Sequence, residues 1–364
     1  MVNKLVFENL RHRPLRTLLT VLAIGLQVTL VLTIVGLTRG LVDASAARTR
    51  GVGADIIVRP PGTSILGLSS APMSEGMVKF SEKQPHVTLA QGVMVHGIGG
   101  FDSIIGVDLD RFTKMAGGLR YLEGGPLEKP TDMLIDESYA QQRKLKPGDS
   151  VELAGQKWVV RGVIESGKLG KLFVDKSYLQ QVTSNTGKIS MVYVKVDDPK
   201  SIQGVIESMK KSLEGYPIYS MEEFLSYLTP GQIPGVTPFI AVLIGLAVVF
   251  GFLIVFLAMY TAVLERTREI GILKALGATK MYVLTMLLRE TVLLALVGAV
   301  IGIVLAFLAR WAIMAFVPSS LPVAIVPEWW PVAGLISIAG AVLGALYPGL
   351  KAARQDTIEA LSYE

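Results

Sequence analysis

Charged residues vanish from four stretches of this chain and are common between them. Residues 17–38, 236–264, 291–309 and 329–350 contain no Asp, Glu, Lys or Arg. A hydrocarbon core of about 30 Å is crossed by about 20 helical residues. Four membrane-spanning helices are therefore expected, over 17–40, 236–264, 284–311 and 329–350. Residues 41–235 follow another pattern, in which short apolar runs alternate with turn residues. Residues 54–59 read as a strand stopped by Pro60-Pro61, and residues 150–153 and 158–163 as a hairpin about Gly155, after the turn Lys146-Pro-Gly-Asp149. A strand over 189–196, a helix over 201–213 with Ile202, Val205, Ile206 and Met209 on one face, and a strand over 217–220 make a split β-α-β unit. Residues 60–81, rich in Gly, Ser and Pro, are expected to be irregular. The expected fold is a membrane protein of four transmembrane helices with an extracytoplasmic α+β domain inserted between helices 1 and 2.

Composition agrees, because only 18% of the 364 residues are charged, where a soluble domain carries about 25%. The net charge of +5 is not a nucleic-acid signal. Residues 41–236 hold 22 basic and 22 acidic residues, and the excess lies beside the apolar runs. Lys4, Arg11, Arg13 and Arg16 precede the first run, Arg266, Arg268, Lys274 and Lys280 lie between the second and third, and Lys351 and Arg354 follow the fourth. Segment 312–328 has no Lys or Arg. The positive-inside rule then makes segments 1–16, 265–283 and 351–364 cytoplasmic and leaves 41–235 and 312–328 outside, with Trp329 and Trp330 in the outer aromatic belt. A bacterial inner (cytoplasmic) membrane is the expected location. Val2, Leu5, Val6 and Leu10 suit an amphipathic interfacial helix. Ala44-Ser45-Ala46 imitates a signal cleavage site, but the apolar run before it exceeds the 7–15 residues or so of a signal peptide, so an uncleaved anchor is expected.

Several chemistries are set aside. The chain has no cysteine, hence no disulfide and no thiolate site. His12, His86 and His96 lack metal-ligand spacing. Gly162-Val-Ile-Glu-Ser-Gly167-Lys168 imitates a P-loop, but Leu169 stands where Ser or Thr would hold Mg²⁺. No metal and no cofactor bound by this chain is expected, and no catalytic residue.

The most informative segment is 265–280. It is too polar to span and too regular for a plain loop. Ile270, Leu273, Ala275 and Leu276 keep helical spacing, Gly277 is a helix stop, and the charges of Glu265, Arg266, Arg268, Glu269 and Lys274 alternate in sign. Either a docking helix for a motor or a simple positive-inside anchor would read this way. Gln27 and Thr29 within the first span, and Arg289 and Glu290 near the start of the third, are the candidate intramembrane polar site. Gly298-x-x-x-Gly302 and Gly340-x-x-x-Gly344 allow close helix contact, more simply within one chain than between two.

Segment 265–280 resembles the coupling-helix signature of the MacB/FtsX-like family of ABC transporter permeases. Asn9, Arg11, Arg16-Thr17 and residues 22–25 are similar to that family's entry into its first span. Tyr347-Pro-Gly-Leu-Lys-Ala-Ala-Arg354 through Ile358-Glu-Ala-Leu361 is similar to its C-terminal close. The resemblance implies a non-catalytic subunit working as a homodimer. It implies a dimeric ABC ATPase, itself holding ATP and Mg²⁺, docked at Glu265, Arg266, Arg268, Glu269, Ile270, Gly271, Leu273, Lys274, Leu276, Gly277 and Ala278. It implies mechanotransmission, in which ATP hydrolysis moves the outside domain, and it leaves a periplasmic adaptor open. The size of the inserted domain, with no ATPase in the chain, looks like permeases of haem-exporter and DevC-type systems. The expected function is export of a hydrophobic or amphipathic substrate such as haem, lipid, a peptide or a drug. The alternatives are an FtsX-like transducer that regulates a cell-envelope hydrolase and a lipoprotein-release permease.

Overall fold

The computed structural model describes residues 14–63, 72–99, 102–229, 231, 235–317 and 322–355. They divide into two units. The interfacial helix expected within 1–16 falls mostly outside the described residues, as does most of the tail.

Four long apolar helices, each able to cross a membrane by length and composition, run over Pro14–Arg50, Val236–Glu265, Lys280–Phe316 and Trp329–Arg354, and the helical unit takes the first as far as Arg39 and the third as far as Met314. The first continues without a break well past residue 40, and the third begins before residue 284 and ends after 311. Lipid is as apolar as leucine, so small residues and backbone proximity hold such helices together. Both glycine pairs serve contacts within this chain. A β-carbon on Gly302 would stand 2.6 Å from the Gly25 carbonyl oxygen, and one on Gly298 would stand 2.9 Å from Ile24, which brings the first and third helices together. One on Gly344 would stand 2.8 Å from the Phe252 carbonyl oxygen, which joins the fourth helix to the second. The second helix leaves Phe239, Val242, Leu246, Phe250 and Leu253 exposed, as a lipid-facing surface would.

The inserted unit is an α+β domain. Its strands are β1 (Ile56–Val58), β2 (Met73–Ser74), β3 (Val87–Gly99), β4 (Asp102–Val107), β5 (Tyr121–Gly124), β6 (Asp132–Asp136), β7 (Ser150–Leu153), β8 (Gln156–Ile164), β9 (Leu172–Asp175), β10 (Lys188–Ile189), β11 (Met191–Val196) and β12 (Ile218–Ser220). The main sheet runs β12-β1-β11-β3-β4-β9-β6-β8-β5, with β7 paired to β8 and the short pair β10-β2 separate. The long β3 joins two lobes, pairing β11 through Val87–Val93 and β4 through Met94–Gly99. β11, helix Ile202–Ser212 and β12 form the expected split unit, and β1 occupies the gap. Ile56 faces Val194 on one side and Ser220 on the other. All three β1 residues are buried, which explains their unbroken apolar run. The hairpin β7-β8 turns at Ala154 and Gly155, both left-handed, with φ of 53° and 70°.

The expectation that 60–81 is irregular is corrected in its last part. Residues 64–71 lie outside the described residues, but Gly76–Glu82 is helical, burying Val78 and packing Met77 and Phe80 against the β1-β11-β12 lobe. Three more two-turn helices follow strands directly, each capped by the aspartate at the junction. Asp108, Asp136 and Asp175 accept the backbone N–H of Arg111, Tyr139 and Tyr178 at 3.2, 2.8 and 2.8 Å.

Candidate functional site

Thr267–Ala275 is a short helix held between the second and third long helices. Its C-terminus closes as a Schellman turn. Gly277, at φ 95°, donates to the Lys274 carbonyl, and Ala278 donates to that of Leu273, both at 3.0 Å. Two residues after Gly277 the Thr279 hydroxyl accepts the Tyr282 N–H at 3.2 Å and starts the third long helix. The polar interruption is thus a helix, a tight turn and a new helix.

The short helix has two faces. Thr267, Ile270 and Gly271 are buried against the bundle, while Glu265, Arg268, Glu269, Ile272 and Gly277 are exposed. Leu276 is 81% exposed, the most open large apolar residue at this end. Leu273, Lys274 and Ala278 are half-buried. Lys274 donates through Nζ to the Ala353 carbonyl at 3.2 Å and to that of Gln355, tying the short helix to the end of the fourth long helix.

Arg266, at the joint before the short helix, is buried. Its Nη1 lies 3.3 Å from Oε2 of Glu290, which is fully buried in the third long helix. A charge in such a place is stable only when paired, because the desolvation cost of a lone ion amounts to several kcal/mol. The pair therefore fixes the joint to the third helix.

The candidate intramembrane residues are not gathered into one site. Arg289 is exposed, whereas its neighbour Glu290 points inward to Arg266. Thr29 bonds the Gly25 and Gly302 carbonyls at 2.8 and 3.0 Å, serving the contact between first and third helices. Gln27 is buried in a notch left by Gly251 and Gly340, and its Nε2 has no hydrogen-bond partner among the described residues. The Arg266–Glu290 pairing was hidden in the sequence, because its members lie on different elements with no spacing rule between them. The P-loop-like segment is the end of β8 and a turn, where Ser166 bonds Asp136 and Lys168 donates to the Ala116 carbonyl at 2.8 Å. His86 meets Asp197 at 3.2 Å on the surface. No group of metal-ligating side chains occurs among the described residues.

Residues 17–212 match the family model of the MacB-like periplasmic core domain, and residues 241–357 match that of the FtsX-like permease C-terminal region. The chain is 31% identical over 228 residues to the uncharacterized ABC transporter permease YknZ of Bacillus subtilis, a match covering 60% of this chain and 55% of YknZ. It is 23% identical to the permease YvrN of the same organism across 99% of both chains. Against the macrolide export ATP-binding/permease protein MacB of Hahella chejuensis it is 24% identical, over 99% of this chain and 60% of that protein. The match thus spans less than two thirds of YknZ and of MacB. Among solved structures, the periplasmic region of MacB from Actinobacillus actinomycetemcomitans aligns with a TM-score of 0.37 at 16% identity, over 48% of this chain and 92% of that one.

Proposed function

The chain belongs to the MacB/FtsX-type family of ABC transporter permeases, and on that premise we propose that segment 265–280 is the docking element for a separate dimeric ATPase. The observation that carries the proposal is the division of labour in the short helix. One face is pinned to the bundle by Arg266–Glu290 and by Lys274, and the other presents Arg268, Glu269, Ile272 and Leu276 outward. A push on that face is delivered to the third and fourth long helices through buried contacts. ATP and Mg²⁺ are held by the partner, and this chain is non-catalytic. The working unit is a homodimer in the inner membrane with both termini cytoplasmic, an orientation supported by the positions of the basic residues. The stroke reaches the inserted domain by mechanotransmission and expels a hydrophobic or amphipathic substrate.

The test is Leu276→Asp in the full chain, co-expressed with its ATPase. Copurification and substrate-stimulated ATP hydrolysis are expected to fall at least tenfold, with unchanged thermal stability of the permease alone. Full coupling in that variant would overturn the docking assignment. ATP hydrolysis that responds to a soluble hydrolase, and not to any amphipathic substrate, would replace export by signalling. Gly271 is unsuited to this test, because it is buried and a carboxylate there would disturb the helix seat itself.

A further inference from the structure

Arg310 lies near the end of the third long helix, and its nearest charged neighbours in sequence are Glu290 and Glu328. From Glu290 to Arg310 is about 20 residues, hence about 30 Å along a helix, which is the thickness of a hydrocarbon core. Arg310 therefore reaches the polar boundary at the end opposite the short helix 267–275. Its Nε donates to the Val323 carbonyl at 2.8 Å, which holds the half-buried guanidinium in place. The two terminal nitrogens make no hydrogen bond or ion pair among the described residues. The cation borders a cleft within the helical unit, lined by Leu32, Ile303, Phe307, Val326 and Trp330. The Phe307 and Trp330 rings meet edge-on there, 6.0 Å between centroids. One side of the cleft, segment 323–326, is fixed to the first helix, because Ala324 donates to the Gly36 carbonyl at 2.8 Å. Thr33 is the other polar side chain of the lining. On the same helix Thr29 and Thr38 donate to carbonyls four residues back, at 2.8 and 2.9 Å, whereas the half-buried Thr33 hydroxyl has no partner among the described residues.

The geometry points to a seat for one anionic phospholipid, its phosphodiester on Arg310 and Thr33 and one acyl chain along the cleft. The planar guanidinium fork matches phosphate oxygens, and the threonine hydroxyl adds a donor for a phosphate or ester oxygen. Size excludes an enclosed ligand. The cleft holds a free volume of about 30 Å³, room for about two waters, where a small-molecule pocket has about 300 Å³ or more. The occupant must lie mostly outside, as a bilayer lipid does with its chain against the helices and its head at the boundary. Among the described residues lining the cleft there is one cation and no carboxylate. Nothing there answers the ammonium of a zwitterionic head, so a singly negative head such as phosphatidylglycerol is favoured. This seat stands apart from the ATPase-docking and export proposals, because lipid occupancy is read on the chain alone.

The experiment is native mass spectrometry of the delipidated full chain in detergent, titrated with phosphatidylglycerol or with phosphatidylcholine of the same chains. The mass of each species counts the lipids held. Phosphatidylglycerol is expected to fill one site per chain, and phosphatidylcholine to bind there at least tenfold more weakly. Arg310→Gln should weaken phosphatidylglycerol roughly ten- to a hundredfold, in keeping with a hydrogen bond to a charged group. Thr33→Val keeps the side-chain shape and the Val323 bond, and should weaken it about two- to tenfold. Arg289→Gln, an exposed arginine far along the same helix, should leave it unchanged. Inorganic phosphate in large excess should not displace the lipid; displacement would reassign the site to a free anion and overturn the proposal. Equal affinity for the two lipids would overturn it as well. So would undiminished phosphatidylglycerol binding in a folded Arg310→Gln protein or, should that variant fail to fold, in Thr33→Val.

Discussion

A β-carbon on Gly251 would lie 1.8 Å from Oε1 of Gln27, so these two positions compete for one volume. Gly251→Ala must displace the glutamine, and overpacking of this kind costs about 1–3 kcal/mol. Gln27→Ala combined with Gly251→Ala should recover most of that loss. Thermal unfolding in lipid discs reads both, and strictly additive costs would show that the two side chains never meet.

Arg266 and Glu290 should behave as one unit. Arg266→Met or Glu290→Leu alone strands a buried charge and is expected to cost about 3–5 kcal/mol, whereas the double replacement should cost far less. Denaturant unfolding of the four proteins in mixed micelles gives the coupling directly. A double variant as unstable as the sum of the singles would refute the pairing.

Acid should loosen the contact between the helix Gly76–Glu82 and the start of the helix Lys176–Val182. Burial by itself would raise the Glu75 carboxyl, but the hydrogen bonds from Lys176 and Gln180 outweigh it and hold the carboxyl below its ordinary 4.5. A carboxyl depressed in the folded state adds stability that is complete above its unfolded value and lost as pH falls through the folded one. Wild-type protein should therefore lose melting temperature below pH 4.5 more steeply than Glu75→Gln. Parallel curves would remove Glu75 from the acid response.

Asp136 does more than cap one helix. Itself buried, it accepts the Tyr139 N–H at 2.8 Å and the hydroxyls of half-buried Ser138 and exposed Ser166. Asp136→Ala should exceed the upper end, about 2 kcal/mol, of an ordinary cap loss, while Asp175→Ala should stay nearer 1 kcal/mol. Equal losses would mean that the serine bonds contribute nothing.

What could be read in the chain follows from the length of each signal. The four long helices announce themselves through long charge-free runs, and the helix Ile202–Ser212 through several turns of consistent period. So does the stop at Gly277, whose left-handed backbone completes the turn that its position suggested. Helices Leu109–Met115, Glu137–Arg143 and Lys176–Val182 span only two turns and carry too few apolar positions to show a period. Their signal was an apolar run ending in aspartate, repeated at Asp108, Asp136 and Asp175. On the candidate site, the spacing of Ile270, Leu273, Ala275 and Leu276 marked a helix but not its faces, since Ile270 is buried whereas Ala275 and Leu276 are exposed. The partner of Glu290 had no mark at all, since pairing between separate helices depends on their rotation, which no local pattern encodes.

The place of β1 at the middle of its lobe sets a schedule for synthesis. Ile56–Val58 emerges early, but both strands that flank it come near the end of the domain, at 191–196 and 218–220. At about 5–20 residues per second the ribosome leaves this bare apolar strand waiting for roughly ten to thirty seconds. Until residue 196 has been made both of its edges are open to the wrong neighbour, and one stays open until residue 220. The most buried strand of the finished lobe is thus the most vulnerable one in the nascent chain, and the time to guard it ends only when residue 220 has been made.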